Sequence, residues 1–168
     1  TGGGISVIPA AATTSGGTAS TTLRSQLSTT VTITATAGTA SDSAQVTFVP
    51  GPLDHFAIGV SSPQTAGITF TIAITALDQY GNVADFDGAV TLTDTTGTLT
   101  PAGPTTLVDG HGIISVTVYT ATPADRITAT YGAATGVSNP FQVLPGAPDR
   151  LTLAVNPTAL RVCQTAAV

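Results

Sequence analysis

The sequence has 168 residues, 42% of them hydrophobic and 8% charged, and a net charge of −5. Four scattered Arg are its only cations besides His, too few to neutralise a phosphate backbone, which excludes nucleic acid as a partner. Its apolar content separates it from disordered chains, and no apolar run approaches the roughly 20 residues of a helical membrane span.

All nine acidic residues are Asp, and Lys, Glu, Met and Trp are missing, so apart from Ala and Leu the strongest helix formers are absent. Thr supplies about a fifth of the residues and joins Val and Ile in favouring a pleated strand. With 18 Gly and 11 Pro as punctuation, this composition implies an all-β fold of many short strands and tight turns. Thr1 has no signal-like segment behind it, so a mature or excised piece is expected. A Thr-rich surface without Lys or Glu is associated with secreted and cell-surface β proteins, while the single cysteine, Cys163, leaves the redox compartment open.

In chain order, the first patterned stretches are 17–23 and 33–38, both of which recur later. Residues 53–60 then alternate, with Phe56, Ile58 and Val60 on one face of a strand and His55, Ala57 and Gly59 on the other. Phe70, Ile72, Ile74 and Ala76 alternate with Thr71, Ala73 and Thr75, and Val90 and Leu92 with Thr91 and Thr93. Ile114, Val116 and Val118 alternate with Ser115 and Thr117, Ile127 and Ala129 with Thr128 and Thr130, and Phe141 and Val143 with Gln142. One face is apolar and the other mostly Thr, the pattern of two antiparallel sheets packed face to face.

The chain also repeats itself. Pro50-Gly51-Pro52-Leu53-Asp54 returns as Pro145-Gly146-Ala147-Pro148-Asp149, an offset of 145 − 50 = 95, about the size of one small domain. The stretch 17–23 matches 112–118 at the same offset, and Ile33-Thr34-Ala35-Thr36 matches Ile127-Thr128-Ala129-Thr130 at 127 − 33 = 94. This phase makes 1–49 the C-terminal part of one unit, 52–144 a complete unit and 147–168 the first strand or strands of a further one. The Pro-Gly joints between them are short and semi-rigid, as in a jointed rod. The open ends expose Val31, Ile33, Val46 and Phe48 on one side and Leu151, Leu153 and Val155 on the other. Either neighbouring repeats of the same chain complete them, or subunits of the same protein do so by head-to-tail strand exchange.

Asp78-Gln79-Tyr80-Gly81-Asn82 after a strand, then Val90-Thr91-Leu92, Gly97-Thr98-Leu99-Thr100-Pro101 and the 109–118 hairpin resemble the bacterial immunoglobulin-like repeats of invasin and intimin type. The resemblance covers the whole of 52–144 and fragments of both flanks. It implies immunoglobulin-like β-sandwiches in tandem on a surface protein, where most repeats act as stalk and a few carry adhesion. Val83 and Ala84 stand where a proline often follows in the family, and the disulfide-bearing lectin-like tip of some members has no counterpart, so receptor binding is not implied.

Catalytic chemistry finds little support. Asp54 and His55 are expected on opposite faces of a strand, which would keep them from acting as orienter and base of a triad, and His111 is expected in a hairpin turn between Gly110 and Gly112. The Asp residues, Asp42, Asp109 and Asp125 among them, fall mainly at turn positions rather than as paired acids in a cleft. No enzyme activity and no cofactor are expected. Asp78, Asn82, Asp85 and Asp87 are calcium candidates, because they offer hard oxygen ligands within one short stretch. Asp78 and Asn82 equally suit a turn whose side chains bond nearby backbone N–H groups.

Tyr80 is the one aromatic expected to be exposed, as a sugar platform would need, whereas Tyr119 and Tyr131 sit at strand ends and suit edge packing. The Thr faces raise O-glycosylation and binding to a regular surface such as ice. No N-x-[ST] sequon survives at Asn82, Asn139 or Asn156, and without Lys no internal Lys-Asn isopeptide bond can form. Cys163 reads as a small apolar residue or as an intermolecular link. These features describe a structural spacer, stalk or filament segment of a secreted or cell-surface repeat protein, supporting adhesion or cell-envelope assembly. The alternative is an accessory carbohydrate-binding or calcium-dependent module of a secreted enzyme.

Overall fold

Thr, Val and Ile branch at Cβ and favour the extended backbone, and most runs of them form strand. The computed structural model describes residues 4–8 and 10–154, and among these no helix forms. In the first fifty residues β1 (Ser6–Ile8) pairs with β2 (Thr22–Arg24), and β3 (Thr29–Ala37) with β4 (Ala40–Phe48), both antiparallel. There follow β5 (His55–Gly59), β6 (Gln64–Thr65), β7 (Phe70–Leu77), β8 (Gly88–Asp94) and β9 (Thr105–Leu107). The remainder are β10 (His111–Val116), β11 (Thr122–Asp125), β12 (Ile127–Tyr131), β13 (Ala134–Val137) and β14 (Phe141–Leu144).

A seven-stranded sheet runs β10-β7-β5-β13-β12-β8-β9, beside a three-stranded sheet β11-β14-β6. Its seam is β5, which joins β7 through a full antiparallel ladder from His55 to Gly59 but meets β13 through one parallel pair, His55 with Thr135. After Gly59 the chain leaves β7, and Gln64 and Thr65 pair in parallel with β14. The expectation of purely antiparallel sheets is therefore corrected at this point: the opening segment switches from one layer to the other, as strands at sandwich corners do.

Both sides of the seam feed one core. Phe56, Ile72, Ile74, Val90, Leu92, Leu107, Ile127 and Phe141 are buried in it, and its members all lie between Leu53 and Val143. Phe86 packs edge-on against Phe56 at 5.9 Å and against Tyr131 at 4.8 Å between ring centroids, an arrangement that suits the aromatic quadrupole.

The expected alternation holds along β7, where Ile72, Ile74 and Ala76 are buried while Thr71 and Ala73 are exposed. It fails at Thr117, placed on the polar face by the pattern yet buried between Val116 and Val118. The reason is that β10 ends at Val116. Thr117 exchanges both backbone hydrogen bonds with Thr100, and its hydroxyl lies 2.9 Å from that of Thr69. Asp42 lies within β4 rather than at a turn, and its side chain is exposed.

The matched stretches near Ile33 and Ile127 share a local structure. Each is a strand that ends at a left-handed glycine, Gly38 with φ 62° and Gly132 with φ 57°, and doubles back into an antiparallel partner. β12 is flanked by β13 and β8, whereas β3 pairs with β4 alone among the described residues. Residues 145–154 carry no strand, and Leu151 and Leu153 are exposed. Val155, Asn156 and Cys163 lie outside the described residues.

Candidate functional site

Where β7 ends, the chain turns through 78–82. The Asp78 N–H donates to the Asn82 carbonyl at 2.9 Å and the Gly81 N–H to the Asp78 carbonyl at 3.0 Å, with Gly81 at φ 85°. The Asp78 side chain is 1% exposed. Its Oδ1 accepts the N–H groups of Tyr80 and Asn82, and its Oδ2 accepts the Gly51 N–H and the Asn82 Nδ2, all at 2.9 Å. One carboxylate thus closes its own turn and grips the Pro50-Gly51-Pro52 joint. Burial raises its pKa, but the bond from the Asn82 side chain and those from the Gly51, Asn82 and Tyr80 N–H groups outweigh burial and bring it down to about 2.

Asn82 reaches further. Its Nδ2 donates to the Gln26 carbonyl at 2.8 Å as well as to Asp78, and its Oδ1 accepts the Ser28 N–H at 3.0 Å. The amide orientation is fixed by these partners, because the nitrogen faces two acceptors and the oxygen a donor. Tyr80, 52% exposed, lines a shallow concavity with Arg24, Gln26 and Phe48. The sequence marks Asp78 and Asn82 both as turn residues and as calcium candidates, and Tyr80 as exposed. It has no signal for their partners, which lie 27, 54 and 56 positions away.

The other two calcium candidates go elsewhere. Asp85 and Asp87 are exposed, and the Asp87 Oδ1 accepts the Asp109 N–H at 2.8 Å, closing the turn before β10, in which Asp109 has φ 50°. Among the described residues no group of three or more His, Cys, Asp or Glu is arranged to hold a metal.

A second buried carboxylate, Asp125, corrects the expectation that it occupies a turn position. It is the last residue of β11 and is 0% exposed. Its Oδ1 accepts the Thr95 and Arg126 N–H groups at 3.1 and 2.8 Å, while its Oδ2 has no hydrogen-bond partner among the described residues. Burial pushes its pKa up, the Arg126 N–H pulls against the rise, and the nearby Asp94 charge adds to it.

Asp54 and His55 are also corrected. They meet, His55 Nδ1 to Asp54 Oδ2 at 2.9 Å, because Asp54 precedes β5 and escapes the alternation. Both side chains are about half exposed (44% and 55%), and His55 makes no other side-chain hydrogen bond among the described residues. His111 opens β10 with an exposed side chain rather than sitting within the turn. Tyr131 packs on Phe86, whereas Tyr119 is 60% exposed.

No protein-family model matches the sequence, and no curated protein matches it. Solved structures do. The chain is similar to surface layer protein SbsC domains 1–6, at 23% identity over 75% of this chain and 18% of that one, with a TM-score of 0.41. It is similar to SbsC domains 4 and 5, at 20% identity over 75% of this chain and 64% of the other, with a TM-score of 0.42. It is also similar to the D0-D1 domain of intimin, at 19% identity over 83% of this chain and 79% of the other, with a TM-score of 0.39.

Proposed function

We propose that this chain is a load-carrying spacer of a secreted or cell-surface protein, built from immunoglobulin-like sandwich units in series, with 52–144 as one whole unit and 1–49 and 147–168 as parts of its neighbours. The observation that carries this reading is the tie across the joint. Asp78 holds Gly51 and Asn82 holds the 26–28 loop, so the segments on either side of the joint are bonded end to end. A flexible tether would leave those groups to water. The sequence offset near 95 supplies the serial pattern, and a spacer needs defined length and direction rather than a reactive centre.

A carbohydrate-binding role is the second reading, favoured by the exposed Tyr80 ring beside Arg24 and Gln26. Small-angle scattering of the 168-residue chain and a glycan-binding screen separate the two. The spacer reading expects an elongated, monodisperse particle with no saturable glycan binding. Saturable binding that Tyr80→Ala abolishes would replace it with the accessory-module reading.

A further inference from the structure

We infer that the first and last strands of 52–144 form a mechanical clamp, a parallel patch that is loaded in shear when the chain is pulled from its ends. β5 pairs in parallel with β13 at His55 and Thr135, and β6 in parallel with β14, Gln64 with Val143 and Thr65 with Leu144. The opening and closing segments therefore run the same way. The chain enters 52–144 at one end of that shared run and leaves it at the other, so tension on the two ends draws parallel neighbours in opposite directions along their axes.

Direction decides how much such a patch bears. Tension along two strands is divided among all the bonds between them, which must then break together. Tension across a hairpin falls on its last bond, and the ladder opens one pair at a time. Among the described strands only the two pairings that join the opening and closing segments are parallel. Load entering at Leu53 can follow β5 and β6 to Ala66, cross to Leu144 and leave at Pro145, and β7 to β13 lie off that route.

The patch is reinforced beyond its ladder. The Ala66 N–H donates to the Leu144 carbonyl at 2.8 Å, and the Ser62 hydroxyl accepts the Gln142 N–H at 3.0 Å, so hydrogen bonds flank the paired residues on both sides. Each segment is also fixed to the body. The Gly67 N–H donates to the Val118 carbonyl at 2.9 Å, while β14 pairs with β11 and buries Phe141 and Val143. The fit is close at both ends of the run, since a Cβ on Gly136 would lie 2.0 Å from the Phe56 carbonyl oxygen and one on Gly146 3.1 Å from that of Ala66.

The clamp deepens the reading of the chain as a load-carrying spacer and rests on it. Its test is a rate under tension, whereas that reading is tested by particle shape and glycan binding, so either can fail alone. The 168-residue chain is tethered by its two ends and held at constant tension, where a release of roughly 300 Å, the extended length of 53–144, marks unfolding of this unit. Ala66→Pro deletes the donor to Leu144, and Ser62→Ala deletes the acceptor of the Gln142 N–H. Each should unfold roughly tenfold faster than wild type under tension, the scale of one hydrogen bond. Val108→Pro deletes a bond of similar length, 2.9 Å to the His111 carbonyl, in the hairpin of β9 and β10 away from the load route. It should stay within about twofold of the wild-type rate under tension, although urea unfolds it at a lower concentration. Ser62 is exposed, so Ser62→Ala keeps the test available if Ala66→Pro does not fold. A wild-type rate for Ser62→Ala under tension overturns the clamp, and so does a Val108→Pro rate that rises as far as those of the two clamp variants.

Discussion

Asp78 has hydrogen-bond donors on both carboxylate oxygens and a pKa of about 2, whereas Asp125, near Asp94, has one oxygen without a partner among the described residues and is pushed upward. The two therefore act on stability with opposite signs. For Asp78 the folded value lies below the unfolded 3.8, so its contribution is fully present above pH 3.8 and is lost as pH falls through about 2. For Asp125 the folded value lies above 3.8, so its ionised form costs stability at neutral pH, and the cost fades as pH falls through the raised value. Urea midpoints measured from pH 7 to pH 2 should show Asp125→Asn losing the gain on mild acidification that the wild type shows; superimposable curves would contradict the orphaned oxygen. Asp78→Ala should cost on the order of 3 kcal/mol at pH 7, since it strips a charged acceptor from three backbone N–H groups. With its oxygens so engaged, Asp78 has little left for a metal, and chelator should leave the melting temperature within about 2 degrees; a ten-degree drop would instead point to a site filled far above its dissociation constant, which contributes about 4 kcal/mol at a thousandfold excess. Asp78 and Asn82 were legible as turn formers because Asp-x-x-Gly-Asn is local chemistry. Asp125 was not, because nothing in Pro123-Ala124-Asp125 distinguishes a carboxylate at a buried strand end from one in a solvated turn.

Strands were the most legible elements, because a period of two survives wherever one face meets the core. The facing that it assigned to Ile72 and Thr71 is the one observed, with Ile72 at 1% exposure and Thr71 exposed. Ile72→Asp should cost several kcal/mol by burying an unpaired carboxylate, against less than about 1 for Thr71→Asp. Equal melting temperatures for the pair would mean that β7 is turned the other way. Sheet membership was not legible. The opening segment switches from β7 to β14 just after β5 passes β13, and that approach is close at one residue. A Cβ on Gly136 would lie 2.0 Å from the Phe56 carbonyl oxygen, while one on Gly103 would meet nothing within 4 Å. Gly136→Ala should therefore destabilise by more than about 2 kcal/mol and Gly103→Ala by less than about 0.5. Matching denaturation curves for the two alanine variants would show that β13 can move away from β5 at little cost.

Across the whole molecule the buried apolar residues are unevenly distributed: the core cluster lies entirely between Leu53 and Val143, and no described residue before Pro50 is a buried hydrophobic. The hairpin of β3 and β4 is held by its ladder and by hydroxyl pairs, Thr30 with Thr47 and Thr34 with Ser43, each at 2.9 Å. A lone two-stranded hairpin is marginal in water, and among the described residues β3 offers an unpaired edge beside the half-buried Val31 and Ile33. At the other end Leu151 and Leu153 are 94% and 70% exposed. An open edge and an apolar tail could meet between copies, giving a head-to-tail fibre. Against this, the tail matches 52–144 in sequence only at its opening, and its described residues 145–154 form no strand, so a single exchange is expected to leave the acceptor short of further strands. Local opening costs least where few apolar contacts hold the chain. Thermolysin should therefore trim the protein from both ends and halt at a fragment spanning about 53 to 144, and size-exclusion chromatography should show a monomer before digestion. Filaments that dissolve when 147–168 is deleted would reverse the expectation and make strand exchange the way this protein completes its ends.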